Sequence, residues 1–506
     1  MYWFTMFYYF ANFLKLTFIS IMLGGIVYVL GFDEFSENDF MYVTTAISSG
    51  HPYESFNFVQ GPFTYYFWNT VSNFLPDENL YTNLRIITAI LVGIAISIPA
   101  LFFFSDNSNR AIFILLSLGS SYILEIGWEI GNYSLTLVLL SSGVTFILSK
   151  KKLGIIFGAI CIGLAASAKI SFVLFLIPGF AAVMILRGWA GKFEAIFLFS
   201  AGTLFGLLPV LFYAIQNLEN FLFHNLYFHS KITMLYREFT IKDSAISIIK
   251  GTFLWVYSEI TIIAIVAILA VLAQISVRTF FSSRNTINFT IVILFFAFAI
   301  ITAWSPMIVF SQYLAPASFF IVWILVITFS LLLDNQRKYL FKVIMYVSIC
   351  VFSLNLAKSI EAIVTSGDRI NLVKKHELIS THLDDVLASS SCQPNVTTMS
   401  GSFLAGTRAK PTIGSHSGPF WARLLPLVSQ RMIQNPALSL QESLLLPEIA
   451  IKEGRANFAL TGYYPNNYPN KFEEKIISAA ESLDFDRVFL GSFNNKDIVL
   501  FKRPAC

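Results

Sequence analysis

Charge is scarce in this sequence. Only 13% of its 506 residues are Asp, Glu, Lys or Arg, about half the ~25% of ordinary soluble domains. A chain made only of water-exposed globules is therefore excluded, because soluble surfaces need charge and single cores stop growing near ~250–300 residues. Cysteine is also sparse: there are four, with no C-x-x-C and no zinc-like spacing, which excludes a thiolate metal centre or a dithiol redox site. No G-x-x-x-x-G-K-[ST] and no G-x-G-x-x-G after a strand occurs, so neither a P-loop pump nor a dinucleotide enzyme fits. The net charge of +4 is too small to attract nucleic acid.

What fills the space is hydrocarbon: 56% of residues are hydrophobic and the mean hydropathy is +0.68. A helix needs about 20 apolar residues to cross a bilayer. Runs near that length lie at 9–31, 83–104, 111–127, 130–148, 153–168, 170–187, 193–214, 251–277, 286–304, 311–333 and 339–357. Stretches such as 260–273, ITIIAIVAILAVLA, have no polar stripe of the kind a soluble amphipathic helix shows. The expected fold class is a polytopic α-helical membrane protein of about eleven transmembrane helices with a C-terminal soluble α/β domain. The N-terminus lacks a basic n-region and a small-residue cleavage site, so it is expected to be an uncleaved first span.

Loop charges give the orientation. Alternate short loops carry Arg110, Lys150, Lys151, Lys152, Arg187, Lys192, Arg278, Arg284, Arg337 and Lys338 against Asp106 and Asp334. The first long loop, 32–84, has no Lys or Arg but holds Asp33, Glu34, Glu37, Asp39, Glu54, Asp77 and Glu78. The expectation is a multi-pass plasma-membrane protein with the N-terminus in the cytoplasm and the C-terminal domain outside it. The domains are then 1–357, spanning the membrane with a functional first outer loop at 32–82, and an extracytoplasmic 358–506. In the latter, 457–464, 486–493 and 497–503 read as strands and 472–483 as an amphipathic helix. Cys392 and Cys506 fall in this polar part and can pair in an oxidising compartment; Cys161 and Cys350 read as small core residues.

The first outer loop concentrates carboxylates and aromatics beside the first span, which makes it a site candidate as well as a charged, solvated loop. A helix is expected from Asp39, with Asn38 as its cap, and a second after Pro62. Its order of residues is Glu37-x-Asp39, then Gly50-His51-Pro52-Tyr53, then Gly61-Pro62 and Tyr65-Tyr66. That order resembles the first lumenal loop of the GT-C glycosyltransferases, in particular the bacterial branch of the dolichyl-phosphate-mannose protein mannosyltransferase superfamily, with its lipid A aminoarabinose and galacturonic acid transferases. Three more segments are similar to that family's motifs in order. They are GLAASAK ending on Lys169; SQYLAP at 311–316, with Gln312 where the family has Arg; and SHSGPFWARL at 415–424.

The resemblance implies transfer of a sugar from a polyprenyl-phosphate carrier to an extracytoplasmic acceptor, a glycolipid, glycan or protein. The leaving group is already a phosphate, so the chemistry needs a base for the acceptor hydroxyl more than a strong acid. Asp39 is the expected base, with Glu37 or Glu34 as neighbour; close carboxylates Glu34, Glu37 and Asp39 could instead hold a divalent cation. A departing phosphate is stabilised by fixed cations. Lys169, in an outer turn between two spans, and Arg85, at the start of the second, are the candidates, with snorkelling toward water as the plainer account of each. Glu129, with Glu125 behind it, is the second acidic candidate. Tyr53, Gln312, Tyr313 and His416 complete the expected substrate contacts. A transporter or lipid-linked sugar flippase is the competing reading, but related halves and charges at mid-span, typical of transporters, are not evident.

Overall fold

The computed structural model describes residues 2–30, 37–48, 50–53, 58, 60–187, 191–227, 229, 244–256, 268, 284–306, 310–330, most of 342–361, 368–412, 447–462, 471–493, 496–504 and 506. In chain order the helices are α1 (Tyr2–Leu30), α2 (Glu37–Ala46), α3 (Pro62–Phe74), α4 (Leu80–Phe102), α5 (Asn107–Gly119), α6 (Ser121–Trp128), α7 (Tyr133–Leu148), α8 (Lys152–Ala168), α9 (Leu176–Arg187), α10 (Lys192–Gly206), α11 (Leu208–Gln216) and α12 (Leu218–Leu222). After them come α13 (Ser244–Val256), α14 (Arg284–Trp304), α15 (Ser311–Ser330) and α16 (Asp368–Ala388). Then β1 (Asn395–Thr398), β2 (Lys410–Pro411), α17 (Pro447–Lys452), β3 (Phe458–Thr461), α18 (Lys471–Glu481), β4 (Asp486–Phe493) and β5 (Lys496–Lys502) complete the elements among the described residues.

The chain divides into two compact units: one of Met1–Asp33, Arg85–Phe212 and Ser244–Ala362, the other of Glu34–Leu84, Tyr213–Asp243 and Ile363–Cys506.

The regular elements of the first unit are, among the described residues, all helices. Among the described residues five helices are individually long and apolar enough to cross a membrane, or seven if each bent pair is one span. The expected count of eleven is thus not confirmed. The runs at 130–148 and 153–168 form the shorter apolar helices α7 and α8, and 251–277 and 339–357 fall largely or partly outside the described residues. The run at 111–127 is not one straight helix: α5 and α6 meet at Ser120 with a 68° bend. A second bend of 59° separates α10 from α11, where Pro209 has no N–H to continue the helical ladder. Small residues let these helices approach closely, as membrane bundles require. A methyl group on Gly93 of α4 would lie 2.4 Å from the Ser20 carbonyl of α1, and one on Gly206 of α10 would lie 2.4 Å from the Ile160 carbonyl of α8.

The second unit is built around a five-stranded sheet of order β2-β1-β3-β5-β4. β2, β1 and β3 run parallel, and β3, β5 and β4 antiparallel. The expected strands and the helix α18 are present, although 463–464 lie outside the described residues; the brief β1 and β2 were not expected. Ile379, Leu383 and Leu387, on one stripe of α16, pack on Val396, Phe458, Leu460, Ile498 and Leu500 of the sheet, the helix-on-sheet arrangement that buries one face of each. Cys392 and Cys506 are joined in a disulfide. Cys161 is half-buried but Cys350 is exposed on the protein, so it is not the core residue its apolar run suggested.

The first-loop helices belong to this second unit. α2 begins at Glu37, so Asn38 lies inside the helix rather than capping it. α3 starts on Pro62 in its first turn, where the missing N–H costs nothing. The last carbonyls of α2 have no helical partners of their own, and α3 supplies donors. Asn69 Nδ2 donates to the Ala46 and Ser48 carbonyls at 2.9 Å, and Ser72 Oγ to Ala46 at 2.7 Å. The two short helices are thereby locked side by side.

Candidate active site

Within the second unit, Asp39 lies in the first turn of α2, where the helix dipole favours negative charge, and it is completely buried. The Tyr81 hydroxyl donates to its Oδ2 at 2.8 Å. Tyr81 is itself buried and stacks on the His376 ring, with centroids 4.4 Å apart and planes 24° from parallel. Glu37 is two residues earlier in α2; its side chain, Glu34 and the SHSGPFWARL segment with His416 lie outside the described residues. Among the described residues no three His, Cys, Asp or Glu side chains gather in a form that could hold a metal ion.

Tyr53, in the same unit, has an unusual backbone conformation, with φ of +71°. A non-glycine residue there carries strain on the order of 1–3 kcal/mol. Its surroundings hold it: the hydroxyl donates to the Gln60 carbonyl at 2.5 Å, and the ring meets Tyr213 and Phe221 edge-on at 5.4 and 5.8 Å. Burial pushes the Tyr53 phenol well above its usual range, so it stays a neutral hydrogen-bond donor. Next to it the Tyr66 and Tyr213 hydroxyls are 2.6 Å apart. The His51 side chain is exposed and His224 is buried with Nδ1 2.8 Å from the Asn220 carbonyl, a satisfied structural histidine.

Within the first unit, a separate group of expected residues converges. Lys169 joins α8 to a short 3-10 turn, Ile170–Phe175, and its side chain is only 8% exposed. Its Nζ lies over two tyrosine rings, 4.4 Å from the Tyr133 centroid and 4.9 Å from that of Tyr313. Those rings are stacked on each other at 5.5 Å. Tyr313 and Gln312 are in the first turn of α15, ahead of Pro316, whose ring removes the donor that would otherwise bond the Gln312 carbonyl. In the same turn Ser311 donates a short hydrogen bond to Glu125 Oε1. Glu129 is half-buried at the C-terminal end of α6, its backbone N–H bonded to the Glu125 carbonyl. Arg85 is 1% exposed, with its guanidinium 4.1 Å above the Trp128 ring.

The motifs that are far apart in the chain, GLAASAK and SQYLAP, thus meet on one lysine. The residues that sequence reasoning missed are Tyr133, Ser311, Tyr81 and His376. Tyr133 follows Glu129 in the same turn, and Ser311 opens the SQYLAP motif. His376 stands on the same stripe of α16 as Ile379, Leu383 and Leu387, a polar residue at an apolar period.

Among solved structures the chain is similar to ArnT from Cupriavidus metallidurans, crystallised bound to undecaprenyl phosphate. The likeness covers 97% of this chain and 98% of that one, with a TM-score of 0.58 and 10% sequence identity. This chain has the ArnT fold. No protein-family model matches its sequence, and no curated protein matches it either. The helical architecture with a small C-terminal α/β part, expected from the sequence, is the architecture observed, in a fold like that of ArnT. What is shared with ArnT at this identity is the fold, and the side chains above are this chain's own.

Proposed function

We propose that this protein is a membrane-embedded glycosyltransferase that moves a sugar from a polyprenyl-phosphate carrier to a hydroxyl of an extracytoplasmic glycolipid, glycan or protein. The observation that carries the reading is Asp39. A wholly buried carboxylate, held by a tyrosine, stands in the loop whose order of residues is similar to the GT-C first loop. The ArnT fold supports it, since the ArnT structure is one with a polyprenyl phosphate bound.

In this mechanism the acceptor oxygen attacks the anomeric carbon from the face opposite the phosphate. Asp39 takes the hydroxyl proton, the bond from the anomeric carbon to the phosphate oxygen breaks, and the carrier leaves as polyprenyl phosphate with the anomeric configuration inverted. Glu37 is the neighbouring carboxylate, and together with Glu34 and Asp39 the alternative is a divalent cation site. Lys169, positioned by its two tyrosines, is assigned to the phosphate of donor and product, as a fixed cation stabilises developing negative charge; Arg85 is the second such cation. Gln312 and Tyr313 stand in the first turn of α15, where the Tyr313 ring lies under Lys169; Glu129 is the second acid, and Tyr53 and His416 are assigned to sugar or acceptor.

The loop charges support an inner or plasma membrane location with the N-terminus cytoplasmic. Domain 358–506 and the first outer loop are then extracytoplasmic, where an oxidising compartment suits the Cys392–Cys506 bond. The test is the purified protein in liposomes, given undecaprenyl phosphate carrying labelled aminoarabinose, galacturonic acid or mannose. Transfer of label to added cell-envelope acceptors is expected with one of the three. Transbilayer movement of the donor without transfer would favour a flippase, and no transfer from any of them contradicts the proposal.

A further inference from the structure

Asp39 does not hold its own orientation. The χ2 torsion of an aspartate joins an sp³ to an sp² carbon and has a broad, nearly two-fold profile, so what fixes the carboxylate plane is its hydrogen bonding. Tyr81 supplies such a bond at 2.8 Å to Oδ2, and Tyr81 in turn is held by His376, far along the sequence. The His376 ring is sandwiched. One side stacks on Tyr81 at 4.4 Å, the other on Phe403 at 4.5 Å with an 18° interplanar angle. Its Nε2 is 3.1 Å from Ser402 Oγ, which stops the ring from turning in the stack. The adjacent residues repeat the grip: Thr82 Oγ1 donates to Glu377 Oε1 at 2.8 Å. Gly406, at φ +72°, brings the loop after Phe403 so close to the Asp77 carbonyl that a methyl group there would lie 2.1 Å from it. His376, Phe403 and Tyr81 are all buried.

We infer that Tyr81 and His376 are positioning residues of the transfer reaction: the His376 ring, clamped by Phe403 and Ser402, fixes the Tyr81 hydroxyl on Asp39 and thereby the orientation of the carboxylate that takes the acceptor proton. This rests on the reading of Asp39 as the base. It gives residues 368–412 a part in catalysis beyond folding: helix α16 and the 401–406 loop set the geometry of a base carried on α2. A group that must accept a proton along one direction loses about a hundredfold in rate for displacements near 1 Å, and supporting residues of this kind hold reacting groups within about half that.

The experiment measures kcat and KM for the labelled undecaprenyl-phosphate sugar that wild type transfers, in Tyr81→Phe, His376→Ala, His376→Phe, Asp39→Asn and the Asp39→Asn/Tyr81→Phe double variant. Tyr81→Phe keeps the ring and its stack and removes only the hydroxyl. Its kcat is expected to fall about 10- to 100-fold with KM for the donor unchanged. His376→Ala is expected to fall similarly, and His376→Phe, which preserves a stacked ring, to recover most of the loss. In the Asp39→Asn background Tyr81→Phe is expected to change nothing further, since the two act as one unit. If Tyr81→Phe is within twofold of wild type while Asp39→Asn is inactive, the positioning role is overturned and the base reading stands. Losses that multiply in the double variant also overturn it. Full activity in Asp39→Asn overturns the base reading, and the positioning role with it.

Discussion

Replacing Lys169 by methionine keeps an unbranched apolar side chain of similar length and removes the ammonium. In the wild type that ammonium lies 4.4 and 4.9 Å from two tyrosine ring centroids and is only 8% exposed. Each ring contributes about 1–2 kcal/mol to a cation that has lost its water. Against that stands a desolvation cost of several kcal/mol for burying the charge. The two nearly offset, so Lys169→Met should leave thermal stability close to that of wild type. A phosphate bound by the lysine is a different matter. A hydrogen bond to a charged group contributes about 1.5–3 kcal/mol, which corresponds to a roughly 10- to 150-fold weaker Kd. Titration of the purified protein in nanodiscs with undecaprenyl phosphate, beside a thermal melt of the same samples, separates the two effects. Lys169→Arg, which keeps the charge but changes its shape, is expected to lie between. An unchanged Kd in Lys169→Met with an unchanged melt refutes the phosphate role. A large fall in Tm would make the lysine a structural residue instead.

Three further outcomes follow from the packing and electrostatics. Reducing the Cys392–Cys506 disulfide, which closes a loop of sequence separation 114, should destabilise the second unit by at most about 4–5 kcal/mol in the chain-entropy account; limited proteolysis of the C-terminal residues with and without reductant reads this. Gly93→Val places carbon where a methyl already comes within 2.4 Å of the Ser20 carbonyl, and overpacking of this kind costs about 1–3 kcal/mol; the Tm in detergent should drop, while Gly25→Ala, with nothing near its added methyl, should not. Burial raises the Glu473 carboxyl above its usual range, partly offset by the Gly462 N–H and Lys496. Its stabilising contribution is therefore complete below the unfolded value of about 4.3 and is lost as pH rises through the higher folded value. Glu473→Gln keeps an acceptor for the Gly462 N–H, 2.7 Å away, and should flatten the pH dependence of C-terminal unfolding; an unaltered profile would contradict the assignment.

Much of the architecture was legible because its causes are local. Apolar runs without polar stripes mark the helices of the first unit, and Pro62 marks the start of α3. Alternation in 486–493 and 497–503 marks β4 and β5. The errors have equally physical reasons. α2 starts two residues before Asp39 because Glu37 suits a helix N-terminus, so the asparagine expected to cap it is inside. β1 and β2 are only four and two residues long, too short to show a period. The bend at Ser120 breaks a run whose composition is continuous. The site was legible as residue types and only partly as an arrangement. Asp39 and Lys169 stood out because charge is rare in this chain. The stacking of Tyr133 on Tyr313 beneath Lys169 and the Ser311–Glu125 bond join positions up to 186 residues apart, and such pairings leave no mark on a single sequence. His376 stood in view on an apolar stripe, but the role proposed for it depends on Tyr81 and Phe403, which only the fold brings to its two faces.

The most direct test is the transfer rate of Asp39→Asn. Asparagine preserves the shape of the side chain and can still accept the Tyr81 hydrogen bond, but it cannot take the acceptor's proton. With the labelled donor that wild type uses, the rate should fall about 100- to 10,000-fold, while the Kd for undecaprenyl phosphate stays within a few-fold of wild type. Transfer at the wild-type rate by Asp39→Asn would contradict the account at its centre.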